Sequence, residues 1–153
     1  MQNKRFTIKI KAPAEKIWKV LWNGETYPQW TAAFGEGSHA VTDWQEGSKV
    51  LFLSANNDGM YSMVVKNKPG VFMSFRHLGI IKEGKEQPAD EESKKWSGAM
   101  ENYTLKEEAG GTDLIVEMDI TEEFEKYFQE TFPKALEKVK ELSENKSEEL
   151  KSS

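Results

Sequence analysis

The first residues of the chain alternate strictly between apolar and polar side chains. Phe6, Ile8 and Ile10 share one face of an extended chain, and the polar residues between them share the other. A period of two is typical of a β-strand that has one face in the core and one in water. The pattern therefore predicts a half-buried strand over residues 6–11.

A helix is predicted directly after this strand, over residues 14–22, where the apolar spacing becomes three to four. Pro13 suits a helix start, because the N–H that proline lacks would have no intrahelical partner there. Asn23-Gly24 ends this helix. A second and shorter helix over 25–30 is limited in length by Pro28.

From residue 39 to residue 120 the chain consists of short extended runs separated by turn residues. Asn56-Asn57-Asp58-Gly59 and Ala109-Gly110-Gly111 are typical of hairpin turns, because these residue types tolerate a positive φ. The predicted strands are 39–44, 49–54, 60–66, 71–78, 99–107 and 112–120. Such a series of hairpins predicts an antiparallel meander.

The segment 79–98 interrupts this series. It has no periodicity and few apolar residues, so it predicts a long mobile loop. Its middle, 84–92, has almost nothing to bury and should be the most mobile internal stretch. We interpret the segment as a surface insertion, and a lid over a binding site is the alternative.

The last part of the chain carries a helical stripe. Apolar residues recur there at spacings of four and three, namely Phe124, Phe128, Phe132, Leu136, Val139 and Leu142. They predict one long helix over 122–142. Pro133 should kink this helix or mark a restart, because it cannot donate a backbone hydrogen bond. Residues 1–145 then form one domain, and 146–153 form a frayed polar tail.

Composition limits the classes of function. The chain has 153 residues and no cysteine, which excludes disulfides and thiolate–zinc sites. The formal net charge is −5 and no cluster of lysine and arginine is present, so we expect no nucleic-acid partner. No run reaches the roughly 18 consecutive apolar residues of a membrane span, and no signal peptide is visible. A cytoplasmic location is therefore the default expectation.

Large, soft side chains are plentiful, with 5 Trp, 8 Phe, 4 Tyr and 6 Met. They fit a well-filled core or the lining of a pocket equally well. The sequence carries no nucleophile elbow, phosphate loop or dinucleotide fingerprint. Neither His39 nor His77 has a ligand partner at helical spacing, so we predict no metal site and no cofactor.

One group of polar residues is placed for chemistry. If Leu105 faces the core, the period of two puts Tyr103 and Glu101 on the same face, and the same argument joins His77 to Phe75. In an apolar cavity the pKa of the glutamate would rise, which makes general acid or base work conceivable. The alternative is that Glu101 and His77 lie at an open rim, where they meet water or pair with a basic residue.

The predicted order is strand, helix pair, antiparallel meander and long C-terminal helix. With that order and its short motifs, the chain resembles the START/Bet v 1-like superfamily (SRPBCC), and within it the activator of heat-shock-protein-90 ATPase-like (AHSA-type) group. The resemblance spans residues 4–142. The motifs that carry it are Ala12-Pro13-Ala14-Glu15-Lys16-Ile17-Trp18 with Leu21, Tyr27-Pro28-Gln29-Trp30, Glu46-Gly47-Ser48-Lys49, Asn67-Lys68-Pro69-Gly70, Gly110-Gly111-Thr112-Asp113-Leu114, and Ala135-Leu136 with Leu142.

The resemblance implies an α+β helix-grip fold, in which a curved antiparallel sheet of six or seven strands wraps around the long C-terminal helix and leaves a cavity between them. One departure from the group lies early in that helix, where a Gly-Trp pair is replaced by Tyr127-Phe128 and Phe132-Pro133. The pocket end of the helix should therefore be lined differently. We expect the cavity to be bordered by Trp30, Phe52, Met63, Met73, Phe75, Tyr103, Phe128 and Phe132.

The sequence is compatible with three functions, each of a different class. The first is binding of a small hydrophobic or amphipathic molecule, of the lipid, sterol or aromatic class, without catalysis. The second is an enzyme of the cyclase or condensation type that uses Glu101, His77 and Tyr103 for proton transfer. The third is a module that contacts the chaperone, as the resemblance to ATPase activators implies. The sequence favours the first.

Overall fold

One antiparallel sheet dominates the computed structural model, which describes residues 1–144. Its strands in this part of the chain are β1 (Gln2–Ile10), β2 (His39–Val41), β3 (Lys49–Leu53), β4 (Gly59–Lys68), β5 (Phe72–Lys82), β6 (Lys85–Glu86), β7 (Met100–Glu108) and β8 (Gly111–Ile120). Across the sheet the order is β1-β8-β7-β5-β4-β3-β2, and the short β6 pairs with the end of β5. Every pairing is antiparallel, as predicted, although the sheet has eight strands rather than six or seven.

The described residues also form four helices. They are α1 (Ala14–Trp22), α2 (Tyr27–Thr31), α3 (Glu91–Lys94) and α4 (Glu122–Glu144). The long α4 packs against β1, α1 and α2. A curved antiparallel sheet with a long C-terminal helix is the predicted α+β helix-grip fold, which is thereby confirmed.

The alternation that predicts the strands also fixes their pairing. β1 pairs with β8 along its whole length, so that Phe6 faces Val116 and Ile8 faces Leu114. Both β8 residues are fully buried. A register slip of one residue would move this apolar set to the wet face, so burial specifies the register.

The C-terminal half of α4 completes the core. Phe132, Leu136 and Val139 are buried, and the Phe132 ring stacks on Phe6 with 4.9 Å between centroids. The predicted apolar stripe is not buried along its whole length, however. Phe124 is 41% exposed and Phe128 is half-buried. The N-terminal half of α4 therefore lies further from the packed core than its periodicity predicts.

Pro133 lies inside α4 without ending it. The helix continues through this position rather than restarting there, and the predicted kink stays a prediction. The polar tail predicted at 146–153 lies outside the described residues. Within residues 1–144 no helix combines the length and the apolar character needed to cross a membrane.

The prediction of an irregular loop over 79–98 is wrong. β5 continues to Lys82, because Gly79 does not end the strand but makes room for a neighbour: a side chain at Gly79 would come within 2.5 Å of the Tyr61 ring. Ile81, only 1% exposed, anchors the end of the strand. The mobility predicted for 84–92 stays a prediction.

Further along the same segment, α3 begins at a capping box. The Asp90 side chain accepts a hydrogen bond from the Ser93 backbone N–H at 2.7 Å, and the Ser93 hydroxyl accepts one from the Asp90 backbone N–H at 3.0 Å. These bonds satisfy two donors that the start of a helix leaves without partners. A segment with almost no apolar residues is therefore folded by polar contacts.

Candidate functional site

A cavity of about 500 Å³ lies between the sheet, α2 and the N-terminal half of α4. Strands β3, β4, β5, β7 and β8 all contribute residues to its wall. Aromatic residues of the wall include Trp30, Phe34, Phe52, Tyr103, Phe128 and Phe132, and Asp58, Asp119 and Thr121 are among its polar residues. Such a volume, lined by rings and a few polar groups, is typical of sites for small molecules.

Five of the eight residues expected at this cavity contribute to its wall, namely Trp30, Phe52, Tyr103, Phe128 and Phe132. Met73 and Phe75 lie in the packed core behind it, and the Phe75 ring contacts the Phe52 ring at 5.2 Å between centroids. Met63 is not part of the wall either, because its neighbours Ser62 and Val64 are the fully buried residues of β4. Alternation along the strand then points Met63 to the opposite face.

A polar cluster lies in the wall where β5 meets β7. His77 on β5 and Glu101 on β7 share a hydrogen bond, with 2.9 Å between Nε2 and Oε1. The Tyr103 hydroxyl, two residues further along β7, donates to the other carboxylate oxygen of Glu101. The structure thus brings together the three polar residues that strand alternation placed on one face. The side chains of His77 and Glu101 are only 6% and 15% exposed.

Ser62 on β4 holds the other side of the His77 ring. Its hydroxyl lies 2.7 Å from Nδ1 of His77, and its side chain is fully buried. A chain of serine, histidine and carboxylate resembles a nucleophilic triad, but Ser62 does not reach the cavity wall. A serine that no substrate can contact acts here by orienting the ring.

Opposing influences set the pKa of Glu101. Burial raises it, but the hydrogen bond from His77, the positive charge of that ring when protonated and the hydrogen bond from Tyr103 together outweigh burial, and the pKa ends below the ordinary glutamate value. Glu101 is therefore a carboxylate at neutral pH. Burial, followed by the Glu101 charge, raises the pKa of Tyr103 well above its usual value, so this tyrosine keeps its proton.

Tyr27 is a wall residue that the sequence analysis named as part of a motif but did not expect in the site. Burial first, and then the charge of Glu101, raise the pKa of its hydroxyl, so Tyr27 also stays protonated. Within residues 1–144 this hydroxyl has no hydrogen-bond partner, although the residue is only 9% exposed. Its place in the sequence, beside Pro28 at the start of a five-residue helix, carries no signal for such a role.

The short α2 holds Tyr27 in a fixed position. Trp30 donates its indole N–H to the Leu21 carbonyl at 3.1 Å, and Thr31 donates its hydroxyl to the Tyr27 carbonyl at 2.6 Å. Both bonds are buried. A buried hydrogen bond costs free energy when it is broken, so α2 is tied to α1 by more than apolar contact.

Four half-buried or exposed aromatic residues of the wall are called the mouth of the cavity here: Phe34, Trp96, Phe124 and Tyr127. Phe124 and Tyr127 belong to the first turns of α4 and are 41% and 43% exposed. The Tyr127 hydroxyl donates to the Phe34 carbonyl at 3.1 Å and so connects α4 to the segment after α2. Among the described residues, no three His, Asp or Glu side chains are grouped to hold a metal ion.

Comparison with known proteins gives a fold but no sequence family. No protein-family model and no curated protein matches the chain. Solved structures do match. The Aha1 dimer of Colwellia psychrerythraea is 20% identical, with a TM-score of 0.72 over 94% of this chain and 97% of that one. MLL2253 of Mesorhizobium loti is 17% identical, with a TM-score of 0.72 over 92% and 96%. CalU16 of Micromonospora echinospora is 15% identical, with a TM-score of 0.67 over 93% and 65%.

Proposed function

Because the chain has the SRPBCC fold of AHSA type, we propose that it binds a small amphipathic molecule in the cavity, with the polar end of the molecule at Glu101. The observation that supports this most directly is the arrangement of the wall. Aromatic rings surround a space of about 500 Å³, and one buried polar cluster interrupts them. Apolar enclosure with one fixed polar group is the usual design of a small-molecule site.

The aromatic wall supplies the affinity. A ligand that buries ~300 Å² of apolar surface gains ~7 kcal/mol before costs. Lost rotational and translational freedom, together with ordering of side chains, leaves roughly micromolar affinity. The rings of Phe128 and Phe132 lie 5.9 Å apart and those of Phe34 and Phe132 lie 5.0 Å apart, so a ligand meets a continuous aromatic surface.

Two glycines allow a matched test of this proposal. A side chain added at Gly35, in the cavity wall, would meet no atom nearer than Ser38 Oγ at 3.8 Å, and one added at Gly24 would meet no atom within 4 Å. We expect Gly35→Trp to occupy the cavity and to weaken binding of a neutral aromatic probe such as naphthalene by roughly tenfold or more. Gly24→Trp, which lies away from the cavity, should bind as the wild type does.

Thermal shift and fluorescence titration measure the effect. A ligand that binds the folded state raises the melting temperature by mass action, so the shift should follow probe concentration. Equal binding by the two glycine variants would place the probe elsewhere on the molecule. A complete lack of binding by the wild type would reject the proposal.

A second candidate function rests on the Glu101–His77 pair. A carboxylate that faces a cavity beside a histidine has the position of a general base, although its pKa is lowered rather than raised as the sequence predicted, which makes it a weak one. An enzyme of the cyclase or condensation type would show a bell-shaped pH–rate profile, and Glu101→Gln would abolish it. The chaperone contact implied by the AHSA-type resemblance stays a prediction, which a pull-down with the chaperone tests.

A further inference from the structure

Two hydrogen-bonding groups on different walls of the cavity are left with unused capacity. Tyr27, from α2, is 9% exposed, and within residues 1–144 its hydroxyl has no partner. Glu101, from β7, lies close enough for its charge to raise the pKa of Tyr27, but no hydrogen bond joins the two residues. Both residues contribute to the wall of the same cavity.

The carboxylate of Glu101 has further acceptor sites. It accepts one hydrogen bond from His77 on Oε1 and one from Tyr103 on Oε2. An ionised carboxyl group offers about four lone-pair sites, so about two remain. Glu101 is itself a wall residue, and a ligand in the cavity can reach it.

On the basis of the function proposed above, we propose that the polar end of the ligand is a neutral hydroxyl group on an aromatic ring. This hydroxyl donates a hydrogen bond to Glu101 and accepts one from Tyr27. A hydroxyl is both a donor and an acceptor. It therefore bridges a carboxylate that can only accept and a tyrosine whose proton is free to donate. A ring that carries the hydroxyl also suits the aromatic wall, where Tyr27 and Trp30 already pack edge to face at 5.5 Å.

Other polar ends fit this pair less well. A carboxylate would bring a second negative charge beside Glu101, and like charges in a buried site repel strongly. An ammonium group would be attracted to Glu101, but it would leave water at a cost in solvation and has no lone pair with which to accept from Tyr27. A ring without any polar group would leave the Glu101 acceptors and the Tyr27 donor buried and unpaired. The site should therefore distinguish rings that differ in one substituent.

Four naphthalene probes test this discrimination at neutral pH: 2-naphthol, naphthalene, 2-naphthoate and 2-naphthylmethylamine. We expect 2-naphthol to bind the wild type roughly tenfold or more tightly than naphthalene, and the two charged probes to bind more weakly than 2-naphthol. Dissociation constants from fluorescence titration or calorimetry give the ranking. Tighter binding of either charged probe would overturn the inference.

Variants locate the effect on the two residues. Tyr27→Phe keeps the ring and, because the hydroxyl has no internal partner, should fold normally, which the melting temperature checks. It should reduce 2-naphthol affinity to about that of naphthalene and leave naphthalene unchanged. Glu101→Gln removes the negative charge that repels 2-naphthoate, so this variant should bind 2-naphthoate more tightly than the wild type does. Tyr61→Phe is the matched control, because this tyrosine on β4 lies outside the cavity wall, and it should leave the ranking unchanged.

The outcomes separate the inference from the function on which it rests. Equal affinity of 2-naphthol and naphthalene for the wild type would overturn the hydroxyl inference while the cavity remained a binding site. The same would follow if Tyr27→Phe weakened both probes equally. Failure of all four probes to bind the wild type would overturn the inference and the proposed function together.

Discussion

Glu101 shows how single contacts decide the ionisation of a buried group. Burial raises the pKa of its carboxyl group, but the contacts with His77 and Tyr103 lower it by more. A folded-state pKa below the ordinary value means that the ionised group stabilises the fold. That contribution is present above the ordinary glutamate pKa of 4.5 and is lost as the pH falls through the lower folded-state pKa.

Substitution of this residue should therefore have a pH-dependent cost. We expect Glu101→Gln to lower the free energy of unfolding by about 1–3 kcal/mol near neutral pH, since hydrogen bonds to a charged group are lost. The difference from the wild type should stay constant above the ordinary glutamate pKa of 4.5 and shrink as the pH falls below it. Urea unfolding at several pH values measures it. A difference that stays constant below this pKa as well would contradict the assignment of the ionised form to the fold.

The control for this series is Glu117→Gln. Glu117 lies on β8 and its contact with Arg5 is long, at 3.8 Å between the charged atoms. Both side chains are substantially exposed. Exposed ion pairs contribute little to stability, so this variant should match the wild type throughout the pH range.

At the scale of elements, α3 depends on its cap more than on its core contacts. The Ser93 backbone bond to Asp90, followed by the hydroxyl contact with Ser93, holds the pKa of Asp90 below its usual value. We expect Asp90→Ala to release these bonds and to reduce amide protection over residues 93–96. Hydrogen exchange followed by NMR measures the change. Unchanged protection in this variant would mean that buried Ser93 and neighbouring packing hold the helix without the cap.

A second aspartate provides the matched variant. Asp43 accepts a hydrogen bond from the Gln45 backbone N–H at 2.9 Å, in the link between β2 and β3. Asp43→Ala should lower protection in that link and leave α3 unaffected. The two variants together separate loss of a local cap from a general loss of stability.

The sequence predicted those elements whose pattern comes from burial. β1 and β8 alternate because one face of each is wet, and α4 shows a helical spacing because one side meets the core. α3 was missed because four capped residues are too few to show a period. The end of β5 was missed because Gly79 has the composition of a turn, although it serves a contact with Tyr61.

The candidate site was predictable to the extent that it follows from alternation along strands. That argument placed Glu101, Tyr103 and His77 on one face, where the structure has them. Met63 was expected at the cavity without such an argument, and the structure does not place it in the wall, where the register of β4 against β5 shifts at two points. Tyr27 could not be found in this way, because its role depends on how α2 packs against a distant part of the chain.

The molecule as a whole is packed unevenly from one end to the other. Ile10, Leu114, Ala135 and Val139, which join β1 and β8 to the C-terminal half of α4, are fully buried. At the other end the mouth residues Phe34, Trp96, Phe124 and Tyr127 are half-buried or exposed. Local opening requires less free energy where fewer apolar contacts must be broken.

Hydrogen exchange over the whole chain should show this difference. We expect the slowest amides in β1, β8 and the C-terminal half of α4, and faster exchange over residues 122–128 and in α3. A probe bound in the cavity should slow exchange at the mouth more than in the packed end, because its contacts are there. Uniform protection of α4 would contradict this description, and fast exchange over 84–92 would agree with the mobility predicted for that stretch.

The division of α4 into a packed half and a half at the mouth has an evolutionary consequence. Substitutions at Phe124, Tyr127 or Phe128 change the cavity but remove few core contacts, so they can accumulate at little cost in stability. Substitutions at Ala135 or Val139 remove core contacts but do not change the cavity wall. A lineage with this fold can therefore diversify in the molecules it recognises while its scaffold persists.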